Sequence, residues 1–145
     1  MDMVEILHLG QADLKLLRNV PEGIFDYPVD PVQAAAFLGD PLLALVLARV
    51  AGVVVGMASA TVLLHPDKQP SLFINEVGVH EAYRRQGIAT QLTQALIAIG
   101  RARGCKGVWI ATESDNAPAR ALYQAMGGRL TEEVVIYVWD GAMDP

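Results

Sequence analysis

Between Ser71 and Arg103 the chain reads as one uninterrupted unit: an apolar strand, a short basic turn and a long helix. The strand, Ser71 to Val79, holds a single charged residue, Glu76. The helix, Gln86 to about Arg103, places Ile88, Leu92, Leu96 and Ile99 on one face, and Gly104 stops it. A strand followed by a helix with one apolar face must bury both against a sheet, which makes the fold α/β and marks the junction at Gly87 as a natural ligand site.

The remaining segments fit around that unit. Val4 to Leu9 suits a short first strand, and Asp13 to Val20 a short helix with Leu14, Leu17 and Val20 on one side. Pro21, Gly23, Pro28 and Pro31 make the next stretch a loop, in which Asp30-Pro31 can start another helical turn, with Asp as cap and Pro at the first position. Leu42 to Val50 and Val53 to Leu64 form a hairpin about Gly52, and His65 to Pro70 is a loop. Gly107 to Thr112 reads as a strand, Ala117 to Met126 as a helix and Glu132 to Trp139 as a last strand. The order β-α-α-β-β-β-α-β-α-β describes a mixed α/β sheet. At 145 residues, 52% of them hydrophobic, residues 1–145 are enough for one domain with a sizeable core. Trp109 and Trp139 are expected in the core or at an interface.

Several classes are disfavoured. No apolar stretch reaches the ~20 residues of a membrane span. Met1-Asp2-Met3-Val4-Glu5 lacks the basic start and apolar run of a secretory signal, so a soluble, cytoplasmic protein is expected. The lone Cys105 allows no internal disulfide, and His8, His65 and His80 share no metal-ligand spacing, so no metal is expected. A formal charge of −5, from 16 acidic and 11 basic residues, argues against a nucleic-acid partner and is compatible with a cationic one.

The chemistry centres on Arg84-Arg85-Gln86-Gly87-Ile88-Ala89-Thr90. A helix N-terminus offers unpaired amides and the positive end of the helix dipole, so it binds phosphate readily. Gly87 and Ala89 keep side chains out of the way of a pyrophosphate, and Arg84 and Arg85 add charge. A capped helix with two solvated arginines is the plainer alternative. A P-loop is excluded because no Gly-Lys-Ser/Thr follows.

Arg84-x-x-Gly87-x-Ala89 after an alternating strand resembles the Gln/Arg-x-x-Gly-x-Gly/Ala signature of the Gcn5-related N-acetyltransferases (GNATs). A second segment, Asn116-Ala117-Pro118-Ala119-Arg120-Ala121-Leu122-Tyr123 with Met126-Gly127-Gly128, resembles that family's Asn-x-x-Ala-x-x-Leu-Tyr-x-x-x-Gly pattern. The resemblance implies the GNAT fold with splayed central strands and acetyl-coenzyme A as cofactor. It implies pantetheine pairing at Val77 and Val79, with room left by Gly78. The pyrophosphate would rest on Arg84 to Thr90, including Gln86, Ile88 and Ala89, and Asn116 would hydrogen-bond the pantetheine. Tyr123 would sit near the sulfur and protonate the departing thiolate; helix packing is its bland alternative. Many relatives pair as homodimers through their last strands, an option this sequence leaves open.

On the acceptor side, Glu76 is the candidate base, since a lysine-like amine is protonated at neutral pH and must lose a proton to attack a thioester. An exposed strand residue, or a carboxylate that only holds a cation, are the competing readings. From about Leu42 to Gly127 the chain looks most like aminoglycoside 3-N-acetyltransferases of the gentamicin-modifying type, which implies a polycationic acceptor. Glu22, Asp26, Asp30, Glu76, Glu113 and Asp115 are then candidates to bind its amines. Other small or peptide amines, and a coenzyme A-binding sensor without turnover, are the alternatives.

Overall fold

A hairpin of Val, Leu and Ala can be buried on both faces only if both are covered, and the chain provides the cover. The computed structural model describes residues 3–145; Met1 and Asp2, at the head of the N-terminal stretch discussed above, lie outside the described residues. The chain divides into two compact units, one ending at Ala111 and one running from Thr112 to Pro145. In the first, strands β1 (Val4–His8), β2 (Leu43–Val50), β3 (Val53–Leu63), β4 (Ser71–Val79) and β5 (Gly107–Ile110) form one sheet in that order. Neighbours are antiparallel except β4 and β5, which are parallel. The two-residue turn between β2 and β3 holds Ala51 and Gly52 at φ 49° and 80°, the left-handed geometry that matches strand twist.

One face of the sheet carries α2 (Ile88–Ala102). Its Ile88, Leu92 and Leu96 are at most 1% exposed and pack on Val46, Ala58, Ala60, Leu72 and Ile74. The opposite face buries Leu47 and Met57 under Leu9, Leu17 and Ile24, with Phe37 packed alongside. Covered on both sides, β2 and β3 are almost continuously apolar and buried.

The covering segment differs from the sequence expectation in two places. The helix expected over Asp13 to Val20 is a 3-10 helix, Gln11–Leu17. The single turn expected at Asp30 is a nine-residue helix, α1 (Pro31–Gly39). Its cap works as the residue types imply: Asp30 accepts from the amides of Val32 at 2.9 Å and Gln33 at 3.0 Å. The Ala-rich run beyond Pro31 then carries the helix on.

The second unit contains α3 (Ala117–Ala125), capped by Asn116, whose carbonyl oxygen accepts from Ala119 N–H at 3.2 Å. Arg120 bonds the Ser114 carbonyl at 2.7 Å and the Glu132 carboxylate at 3.3 Å. The strand expected from Glu132 to Trp139 is absent: residues 131–139 have no regular structure. The β-branched and aromatic side chains have the propensity, but a strand also needs a neighbour, and none among the described residues pairs with it. Glu133 moreover takes φ 64°, which breaks the extended run. Val134 to Trp139 are consequently 71–81% exposed, so Trp139 is not a core residue.

Candidate active site

Glu76 owes its position to an irregularity in β4. Ser59 pairs with Glu76 and Ala60 with Ile74, so Asn75 has no opposite number on β3 and forms a bulge. Its side-chain oxygen accepts from the Thr61 hydroxyl at 3.0 Å. Leu72 and Ile74 face the α2 side, and so do Val77 and Val79. Strict alternation would carry residue 76 to that apolar side; the extra residue shifts the phase and turns Glu76 to the opposite face.

There it lines a cavity of about 550 Å³, within the range of small-molecule sites. Ser59 lies on its floor, Phe25, Asp26 and Tyr27 come from the loop before α1, and Gln33 and Phe37 come from α1. Burial pushes the Glu76 carboxyl above the usual carboxylate range, and the Asp26 charge pushes the same way. Both causes make Glu76 a stronger base than an exposed carboxylate.

The other acids expected at the acceptor site separate into distinct settings. Asp30 lines the cavity, but one of its oxygens is occupied in capping α1. Glu22 is exposed and is not part of the lining. Glu113 and Asp115 are exposed in the second unit, on the turn before α3. Sequence reasoning missed Tyr27, Gln33, Phe37 and Ser59. The spacing of Gln33 and Phe37, four apart on a helix, is the signal that could have found two of them once α1 was read at full length.

The groups expected to hold a nucleotide cofactor lie along β4 and the turn after it. β5 pairs with β4 only from Ser71 to Ile74, so Asn75 to Val79 have no strand on that side among the described residues. This is the splay the fold was expected to have. It leaves the edge of the β4 backbone at Val77 and Val79 without a strand partner, the Val79 carbonyl being held instead by Arg84. Gly78, expected to leave room for the pantetheine, leaves room for a second group: the space a side chain would occupy holds the backbone carbonyl of Ile24.

Beyond β4, the Arg84 guanidinium donates to the Val79 carbonyl at 3.2 Å. His80 takes the amide of Ala82 on Nδ1 at 3.2 Å, a local cap. Arg85 and Gly87 both have positive φ, 63° and 78°, and Gly87 supplies no side-chain cap. The first amide in α2 to find a helical partner is Gln91, bonded to Gly87 at 3.1 Å. The amides of Ile88, Ala89 and Thr90 therefore point out of the helix end unpaired by it, beside two exposed arginines and Gln86. This is a donor set suited to phosphate.

In the second unit, burial raises the Tyr123 hydroxyl above the ordinary tyrosine range. It therefore keeps its proton at neutral pH. Asn116 spends its carbonyl on the α3 cap, which leaves the side-chain NH₂ as its free donor.

The family model of the acetyltransferase (GNAT) family matches residues 13–128. The chain belongs to this family. As a GNAT it is an N-acetyltransferase, and its sheet, splayed at β4, is the fold of its relatives. Aminoglycoside N(6')-acetyltransferase type 1 of Salmonella typhimurium is 30% identical over 99 residues, which cover 66% of this chain and 68% of that one. Among solved structures, aminoglycoside N-acetyltransferase AAC(6')-Iy in complex with CoA superposes with a TM-score of 0.81 over 97% of each chain, at 24% identity. An aminoglycoside acetyltransferase from an uncultured soil metagenomic sample, solved with sisomicin, gives 0.80 at 20% identity, over 94% of this chain and 95% of that one. The relatives named by position are 6'-enzymes, whereas the sequence resemblance pointed to the 3-N group. Among the described residues no group of His, Cys, Asp and Glu could hold a metal ion, and no helix is long and apolar enough to cross a membrane.

Proposed function

We propose that this chain transfers the acetyl group of acetyl-coenzyme A to a primary amine of an aminoglycoside. The observation that carries the acceptor class is the cavity in which Glu76 and Asp26 meet with no Lys, Arg or His in its lining. Such a site favours a ligand that brings several positive charges. The relatives' names support the same class, and they favour the 6'-amine over the 3-amine.

The residues of the first unit fit the cofactor: unpaired amides of Ile88 to Thr90 with Arg84 and Arg85 for the pyrophosphate, and the strand-free edge at Val77 and Val79 for the pantetheine; the family resemblance adds the Asn116 NH₂ as a further donor. Bound acetyl-coenzyme A supplies the acyl thioester. With the thioester bound, Glu76 would take one proton from the acceptor ammonium and free the lone pair for the new C–N bond. Tyr123 would give its phenolic proton to the departing sulfur, and the second proton shed by the new amide nitrogen would return through solvent to the Tyr123 oxygen. Residues 1–145 act as one catalytic domain, a reading supported by the family match running through both units. A homodimer is the proposed assembly, since the outer edge of β5 and the exposed run Val134 to Trp139 both lack strand partners among the described residues. The free thiol of Cys105 is in keeping with a cytoplasmic setting.

The direct test is release of free thiol from acetyl-coenzyme A in the presence of gentamicin or sisomicin, with the acetylated position read by NMR. Acetylation at the 6'-amine is expected; product at the 3-amine would restore the other regiochemistry. No turnover of any aminoglycoside, alongside activity on a neutral amino compound, would overturn the acceptor class. KM for the antibiotic should also climb with ionic strength.

Glu76→Gln separates the two roles open to the carboxylate. As base, its loss should lower kcat about 10- to 100-fold at neutral pH, with partial recovery at high pH where more amine is already neutral. As a cation holder alone, it would raise KM and leave kcat nearly intact.

A further inference from the structure

We infer that Gly78 is a positioning residue for the acceptor: the carbonyl of Ile24 takes the space of its missing side chain, and this seat sets where Asp26 stands relative to Glu76. The inference rests on the proposed function above.

The φ angle of Gly78 is not among the positive ones, so the backbone there asks nothing that another residue could not adopt. What it asks for is room. A Cβ would run into the Ile24 carbonyl, with Met57 Cε 3.7 Å away. Since the obstacle is backbone rather than the end of a flexible side chain, an added methyl must move the loop. Ile24 is only 4% exposed and packs with Leu47 and Met57, so it is the anchor from which Phe25, Asp26 and Tyr27 run out over the cavity. Gly78 and Glu76 both lie on the cavity face of β4, two residues apart and opposite Met57 and Ser59. The seat of the loop and the candidate base are therefore fixed to the same strand. The titratable groups that share the cavity with Glu76 are Asp26 and Tyr27 from the loop and Asp30 from the cap of α1. Of the charged ones, Asp26 is the one raising the proton affinity of Glu76.

Loop movement should then be read twice, in acceptor affinity and in the protonation of Glu76. Gly78→Ala is expected to raise the aminoglycoside KM roughly 10- to 100-fold, the scale at which misplacement of about 1 Å is felt. The acid limb of its kcat/KM profile should move to lower pH, because a more distant Asp26 no longer disfavours ionised Glu76. Coenzyme A affinity, measured by calorimetry, should stay within about twofold. Asp26→Asn, an isosteric change at an exposed loop position, provides the same readout if Gly78→Ala fails to fold, and its acid limb should shift the same way. An acid limb that stays put in Asp26→Asn would overturn the link between Asp26 and Glu76. Loss of coenzyme A affinity in folded Gly78→Ala, with acceptor KM unchanged, would overturn the seat and return Gly78 to the cofactor. A wild-type protein that acetylates no amine would overturn the proposed function and this inference together, an outcome distinct from both.

Discussion

Gly87→Glu is expected to abolish coenzyme A binding, lowering affinity roughly 100-fold or more, equivalent to ~2.7 kcal/mol. Two effects combine at this position. Gly87 sits at φ 78°, where a residue with a Cβ pays about 1–2 kcal/mol, and the new carboxylate would stand at the end of α2 where the pyrophosphate is proposed to lie. Nothing lies within 4 Å of the added Cβ, so the protein itself need not be crushed. Gly87→Ala separates the terms, because it introduces the backbone strain without the charge. Calorimetry should show a modest loss for alanine and none detectable binding for glutamate, with circular dichroism confirming that both fold. Equal affinity in folded Gly87→Glu would remove the phosphate assignment at this turn.

The second large effect is expected at Tyr123. Replacement by Phe keeps the ring and its packing but deletes the proton, so kcat should fall roughly 100- to 1,000-fold, within the range of general-acid contributions. Affinity for coenzyme A should hardly change, since only an interaction made in the transition state is lost. Burial keeps the Tyr123 hydroxyl protonated through neutral pH, so the residue can serve as a proton donor and not as a base. Wild-type kcat in a folded Tyr123→Phe protein would leave the residue with packing alone.

How much of this was legible in the sequence depended on whether a signal was local. The α2 face of Ile88, Leu92 and Leu96 repeats every four residues, and β4 has the ends that its composition implied. The length of α1 was hidden because Pro28 and Pro31 read as loop, although Pro31 at the first helical position is compatible with a helix. The tail from Glu132 to Trp139 shows the converse. Its residues favour extension, but pairing is a tertiary fact that no residue type carries. At the acceptor site, Glu22, Asp26 and Asp30 are equivalent as letters. They differ because one is spent on a cap, one is outside the cavity, and one faces Glu76. Nor did Gly78 announce its neighbour, since the segment that needs its space is more than fifty positions earlier in the chain.

The unpaired Asn75 in β4 has a consequence for how this enzyme can change over generations. Substitutions in the strand alter one side chain at a time, so the site can drift while the scaffold persists. Losing one residue is another matter, and its effect depends on where it falls. Without Asn75 itself, Ile74 would still stand opposite Ala60 and Glu76 opposite Ser59, so every face is kept and only the local bend is lost. Without Phe73, the strand could close into a regular ladder in which Asn75 takes the place of Ile74 against α2 and Ile74 turns to the other face. Libraries meant to re-aim the acceptor specificity should thus vary the letters of β4 and change its count, if at all, only at Asn75.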